Sequence, residues 1–109
     1  MTDDAMMMLR AEYEAAVRTI QTCAEEMRRK GKPVEEIARV AHAERRRLAG
    51  LFKDRTSEPM HSLINQRTLT KYGNHLGPTI ESLRARGKTW EGIIESATRP
   101  GSFRYASGT

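Results

Sequence analysis

A few residues in this chain have side chains suited to chemistry at a phosphodiester. His42, His61 and His75 can carry protons near neutral pH, and Tyr72 is a weaker proton carrier. Arg39, Arg46, Lys53, Arg67 and Lys71 can bind phosphate oxygens. RNA can be cut with this kit because its own 2′-hydroxyl is the nucleophile. One group removes that proton, a second protonates the leaving 5′-oxygen, and cations stabilise the charge developing on phosphorus. DNA has no such internal nucleophile, so the inventory favours RNA. His42 is the leading general acid or base, with Tyr72 or His75 as its partner, and Arg46, Lys53, Arg67 and Lys71 are placed on the scissile and flanking phosphates. Each histidine, taken alone, also suits an ordinary surface or capping role.

Other chemistries lack their parts. His42-Ala43-Glu44 matches the H-x-E of zinc deaminases, but the P-C-x-x-C segment they require is missing. Asp54 and Glu58 are the only acids near the basic cluster that could serve a metal nuclease, which needs converging carboxylates. No metal site and no cofactor are therefore expected. Neither a G-x-x-x-x-G-K-[ST] phosphate loop nor a G-x-S-x-G elbow occurs. The single cysteine, Cys23, rules out an internal disulfide and a multi-cysteine zinc site. It falls at an apolar helical position and is expected to be buried and inert.

These residues are positioned by helices. Leu9, Tyr13, Ala16, Val17, Ile20, Cys23, Ala24 and Met27 recur at steps of three and four, which predicts one helix from Met6 to Lys30, stopped by Gly31. Pro33 opens a second in its first turn, with Val34, Ile37, Ala41, Leu48 and either Leu51 or Phe52 inward. On another face of this helix Arg39, His42, Arg46 and Lys53 form one stripe, widened by Arg45 and Arg47. Crowded like charges favour an external anion; partial neutralisation by Glu35, Glu36 and Glu44 is the plainer alternative. Ser57 reads as an N-cap with Pro59 just inside a third helix, whose Met60, Leu63, Ile64 and Leu69 face the core.

Arg67 to Thr79 follows, with the strongest punctuation in the chain. Tyr72-Gly73 predicts a helix end on a left-handed glycine, and Gly77-Pro78-Thr79 a turn into a new N-cap. Thr79 begins a short fourth helix closed by Gly87, and Thr89 a fifth with Trp90, Ile93, Ile94 and Ala97, closed by Pro100. No segment alternates long enough for a strand. The expectation is an all-α, compact single-domain bundle of about five helices, the last ones short. The domain spans residues 1–100, and 101–109 form a flexible tail rich in Gly, Ser and Thr. Met27 to Ala41 also aligns without a gap on Leu83 to Ala97, with Arg, Gly, Lys, Glu, Ile and Ala recurring. This predicts a repeated helical corner rather than a solenoid.

At 109 residues, 38% hydrophobic and 30% charged, the composition suits one globular domain. No apolar run approaches the roughly 20 residues of a membrane span, and the N-terminus lacks the pattern of a signal peptide. The net charge of +5 is uneven: residues 1–27 hold two basic and six acidic side chains, whereas residues 28–55 hold ten and four. Such asymmetry suits an anionic partner, either nucleic acid or an acidic protein.

Three segments carry a resemblance: F-K-D-R-T (Phe52 to Thr56), I-N-Q-R-T-L-T-K-Y-G-N-H-L-G-P-T (Ile64 to Thr79) and L-R-A-R-G-K-T-W-E-G-I-I-E-S-A-T-R-P-G (Leu83 to Gly101). Together they resemble the C-terminal toxin domains of bacterial polymorphic toxins, including contact-dependent growth inhibition effectors of the ribonuclease type. The chain departs from the pattern at Thr68, at Asn74-His75 and after Gly101. The resemblance implies an effector domain of a secreted bacterial protein, acting in the target-cell cytoplasm on RNA, transfer RNA among the candidates. It also implies a cognate immunity protein, expected to be acidic, that neutralises the toxin, and no membrane partner. Two alternatives from other classes are a non-catalytic, helix-turn-helix-like nucleic-acid-binding regulator, suggested by G-K-P-V-E-E-I-A-R-V-A before an arginine-rich helix, and a basic helical adaptor for an acidic protein.

Overall fold

The computed structural model describes residues 3–56, 58–73 and 77–99, so Ser57, Asn74, His75, Leu76 and the tail from Pro100 lie outside the described residues. Among the described residues there are five helices and no strand: α1 Asp3–Arg29, α2 Val34–Asp54, α3 Met60–Tyr72, α4 Ile80–Ala85 and α5 Trp90–Thr98. The all-α expectation is met. No described helix is long and apolar enough to cross a membrane.

Helix α2 is central because it has apolar residues on more than one side. It packs against α1, α5 and α3, and α1 also meets α5. Leu9, Tyr13, Val17, Ile20 and Ala24 form the buried stripe of α1. Four of these join Ala41, Leu48, Phe52 and Ala97 in one cluster, where the Tyr13 and Phe52 rings meet edge to face at 5.2 Å. Ala24 belongs to a second cluster with Ile37, Ala38, Ile93 and Ile94. Burying each of the larger side chains contributes roughly 1.5–3 kcal/mol, so these clusters hold the three-helix core together.

Local signals end the helices where expected. Gly31, Gly73 and Gly87 adopt left-handed φ values of 75°, 75° and 90°. The side chains of Thr79 and Thr89 cap α4 and α5 by accepting from the N–H groups of Ser82 (3.1 Å) and Gly92 (2.9 Å). The two prolines lie just outside their helices rather than inside them: Pro33 and Pro59 precede α2 and α3 as N-cap residues, each accepting the first backbone bond of its helix, from Ile37 and Leu63.

The recurring corner is present in the backbone. Lys32 N–H donates to Met27 O and Gly31 N–H to Arg28 O; Lys88 N–H donates to Leu83 O and Gly87 N–H to Arg84 O, all at 3.0–3.1 Å. Equivalent side chains also pack together: Ile37 with Ile93 and Ala38 with Ile94 are buried, with Met27, Val34, Leu83 and Trp90 around them.

Two packing expectations are corrected, and one open alternative is decided. Cys23 is exposed, on the wall of a groove of about 300 Å³ between α1 and α2, because the buried stripe steps from Ile20 to Ala24 and leaves Cys23 on its flank. Phe52 rather than Leu51 faces inward. On α3 only Ile64 is buried, while Leu63 and Leu69 remain 39% and 46% exposed. The reason is that α3 rests mainly on α2 and so covers a narrow face.

Candidate phosphate-binding cleft

Gly73 ends α3 with its N–H bonded to Leu69 O at 2.8 Å, leaving Lys71 and Tyr72 on the final turn. The Lys71 ammonium lies over the Tyr72 ring, 5.3 Å from its centre. When the described chain resumes, the carbonyl of Pro78 meets His42 Nε2 at 2.9 Å, which pins the start of α4 to the middle of α2. Between these elements and α5 is an open cleft of about 440 Å³. His42, Arg46, Lys71 and Tyr72 all line it, and so do Arg86 and Lys88 from the α4–α5 corner.

The His42 ring is half-buried. That burial pushes its pKa below the ordinary 6.5, and the Arg46 charge acts in the same direction; the Pro78 carbonyl and Glu81 oppose them. His42 is consequently neutral at pH 7. Because a carbonyl only accepts, Nε2 carries the proton in this contact and Nδ1 keeps the lone pair. A neutral imidazole with a defined basic nitrogen, flanked by guanidinium and ammonium groups, is equipped to take a proton near a bound phosphate.

The expected stripe on α2 is longer than the cleft. Arg39 to Lys53 spans about 21 Å at 1.5 Å per helical residue, and only its middle opens on the cleft. Arg39 donates to Glu35 at 3.0 Å and lies over Trp90 at 5.2 Å. Lys53 is half-buried near the end of α2, where its carbonyl accepts from Thr56 Oγ1 (2.6 Å) and His61 Nδ1 (2.8 Å). Neither Arg39, Lys53 nor Arg67 lines the cleft. His61 is thereby a clasp between α3 and α2. His75 and Asn74 lie outside the described residues.

Arg45 lines the cleft beside His42 and Arg46, as the widened stripe predicts, and is also a brace. Its Nε donates to the Tyr13 hydroxyl (2.9 Å) and one terminal nitrogen to the carbonyls of Ala97 (2.8 Å) and Arg99 (2.9 Å). It therefore satisfies the C-terminal end of α5 while stacking over Tyr13, which ties three helices together at the wall of the cleft. Arg47 is held by Glu44. Arg86 and Lys88 escaped the reading of the sequence as site residues. The signal for them was the repeated corner, which marked a basic helix end around Gly87.

Among the described residues no three His, Cys, Asp or Glu side chains converge as metal ligands. No family model matches the chain, and neither a curated protein nor a solved structure matches it with significance.

Proposed function

We propose that this chain is an RNA-cleaving antibacterial toxin domain of the polymorphic-toxin type. His42 acts as general base on the 2′-hydroxyl, and Arg46 and Lys71 hold the scissile phosphate. Tyr72 is the candidate to protonate the leaving 5′-oxygen. The observation that supports this reading is the meeting of His42 and Arg46 from α2 with Lys71 and Tyr72 from the end of α3 in one cleft. The sequence resemblance supplies the biological setting: delivery as part of a secreted bacterial protein, action in the target-cell cytoplasm, transfer RNA among the substrates, and an acidic immunity protein as inhibitor. The chemistry draws only on side chains and the 2′-hydroxyl of RNA.

The test is incubation of purified protein with total bacterial RNA in buffer containing EDTA. Cleavage is expected to leave 2′,3′-cyclic phosphate ends, and His42→Ala to slow it by a factor of about 100 or more, the usual contribution of a general base. Activity is also expected to fall on acidification through a pKa below 6.5, because the protonated imidazole has no lone pair. Intact RNA in this assay, together with undiminished toxicity of His42→Ala on expression, defeats the proposal. Salt-dependent binding without cleavage or growth arrest favours the regulator instead.

A further inference from the structure

The two glycine corners stand at the same end of the bundle. The guanidinium of Arg28, on the last turn of α1, makes two hydrogen bonds to the carboxylate of Glu91, on the first turn of α5, at 2.9 and 2.7 Å. Met27, Val34, Leu83 and Trp90, the residues flanking both corners, border the same core cluster. Each corner sets one cation on either side of its left-handed glycine: Lys30 and Lys32 around Gly31, Arg86 and Lys88 around Gly87. All four are exposed.

Three acids at this end are engaged, whereas Glu36 on the first turn of α2 forms no ion pair among the described residues. Glu26 pairs with Arg29, Glu91 with Arg28 and Glu35 with Arg39. Lys30 approaches Glu26 only at 3.9 Å, and Lys32, Arg86 and Lys88 form no ion pair among the described residues. Four cations thus project from two similar turns with little internal neutralisation. Arg86 and Lys88 line the His42 cleft as well, so the cleft is continuous with this end of the molecule.

We infer that a single RNA strand held in the cleft continues over both corners, its phosphates bound first by Arg86 and Lys88 and then by Lys30 and Lys32. This rests on the reading of the cleft as an RNA site. A flexible polyanion suits it better than a compact anion, because two separate pairs of cations reward a ligand that reaches both.

The experiment measures fluorescence anisotropy of a short fluorescein-labelled 2′-O-methyl oligoribonucleotide, which lacks the attacking hydroxyl, with wild-type protein across a salt series. The variants are K30Q/K32Q, R86Q/K88Q and, as a control on the far part of α1, R18Q. Each double variant is expected to flatten the slope of log Kd against log salt by about 1.4, at roughly 0.7 per lost phosphate contact for a single strand. R18Q is expected to leave the slope unchanged. If K30Q/K32Q keeps the wild-type slope while R86Q/K88Q loses it, the strand follows one corner alone; the inference falls and the cleft reading stands. If wild-type protein does not bind the probe, both fall. If K30Q/K32Q abolishes binding of polyglutamate but not of the oligonucleotide, that corner serves an acidic protein and the inference is overturned.

Discussion

At Gly31 the chain leaves a helix of 27 residues and enters one of 21; at Gly87 it leaves six helical residues and enters nine. The backbone bonds through the two turns are nevertheless the same, and Ile37, Ala38 and Ala41 have buried counterparts in Ile93, Ile94 and Ala97. Side-chain partners differ. Thr89 caps α5, while Pro33 offers α2 no side-chain cap. Arg28 crosses to Glu91, whereas its counterpart Arg84 lies 4.2 Å over Trp90 and donates to Lys88 O. Helices as short as α4 and α5 are marginal alone, so the second corner depends on docking for its helices, while α1 and α2 have length on their side. The same turn chemistry therefore serves one corner that organises the core and another that is organised by it.

Replacing the paired isoleucines tests this most severely. Ile37→Ala and Ile93→Ala, at 2% and 0% exposure, are each expected to cost about 2–5 kcal/mol in urea denaturation. Because the two share a cluster, the double variant is expected to depart from additivity. Hydrogen exchange separates the corners further: Ile93→Ala is expected to deprotect α5 ahead of α1 and α2. Simultaneous loss of protection in all three helices would show that the second corner is as autonomous as the first.

The glycines give a smaller and more even effect. A Cβ added at Gly31 or Gly87 meets no atom within 4 Å, so only the left-handed backbone resists substitution. Gly31→Ala and Gly87→Ala are each expected to lower stability by about 1–2 kcal/mol. Markedly unequal losses would mean that the shared backbone pattern does not reflect shared energetics.

The smallest effect belongs to the ion pair joining the corners. The Arg28 hydrogen bonds hold the Glu91 carboxyl below its ordinary 4.5. A depressed carboxylate stabilises the fold above its unfolded pKa, and that contribution disappears as the pH falls through the folded value. Glu91→Gln is expected to reduce the fall in Tm between neutral and acid pH only slightly, since the pair is exposed and screened by salt. An unchanged acid profile would remove this pair from the forces that hold the two corners at one end.

Much of the fold was legible in the residues because its signals are local. The stripe of Leu9, Tyr13, Val17 and Ile20, the glycine stops, and the Thr79 and Thr89 caps each act within a turn or two of the chain. Of the candidate site, the participation of His42, Arg46, Lys71 and Tyr72 in one cleft matches the expected pairing of stripe and turn. Arg39 and Lys53 share a helical face with His42, but periodicity does not show how far along the axis a cleft extends. Leu63 and Leu69 have core spacing, yet α3 rests mainly on α2, which covers only its Ile64 face.

Where α1, α3 and α4 stop and where α4 and α5 start was settled by the order of residues, because glycine's left-handed backbone and threonine's cap act over four or five positions. Which cations face the cleft was settled only by docking. Arg45 lines it while satisfying carbonyls at the end of α5, Arg39 finds Glu35 and Trp90 outside it, and Arg86 and Lys88 reach the same cleft as His42 from more than 40 residues away along the chain. Coulombic attraction and hydrogen bonding depend on distance in space, and that distance exists only once α2 has gathered the other helices around it.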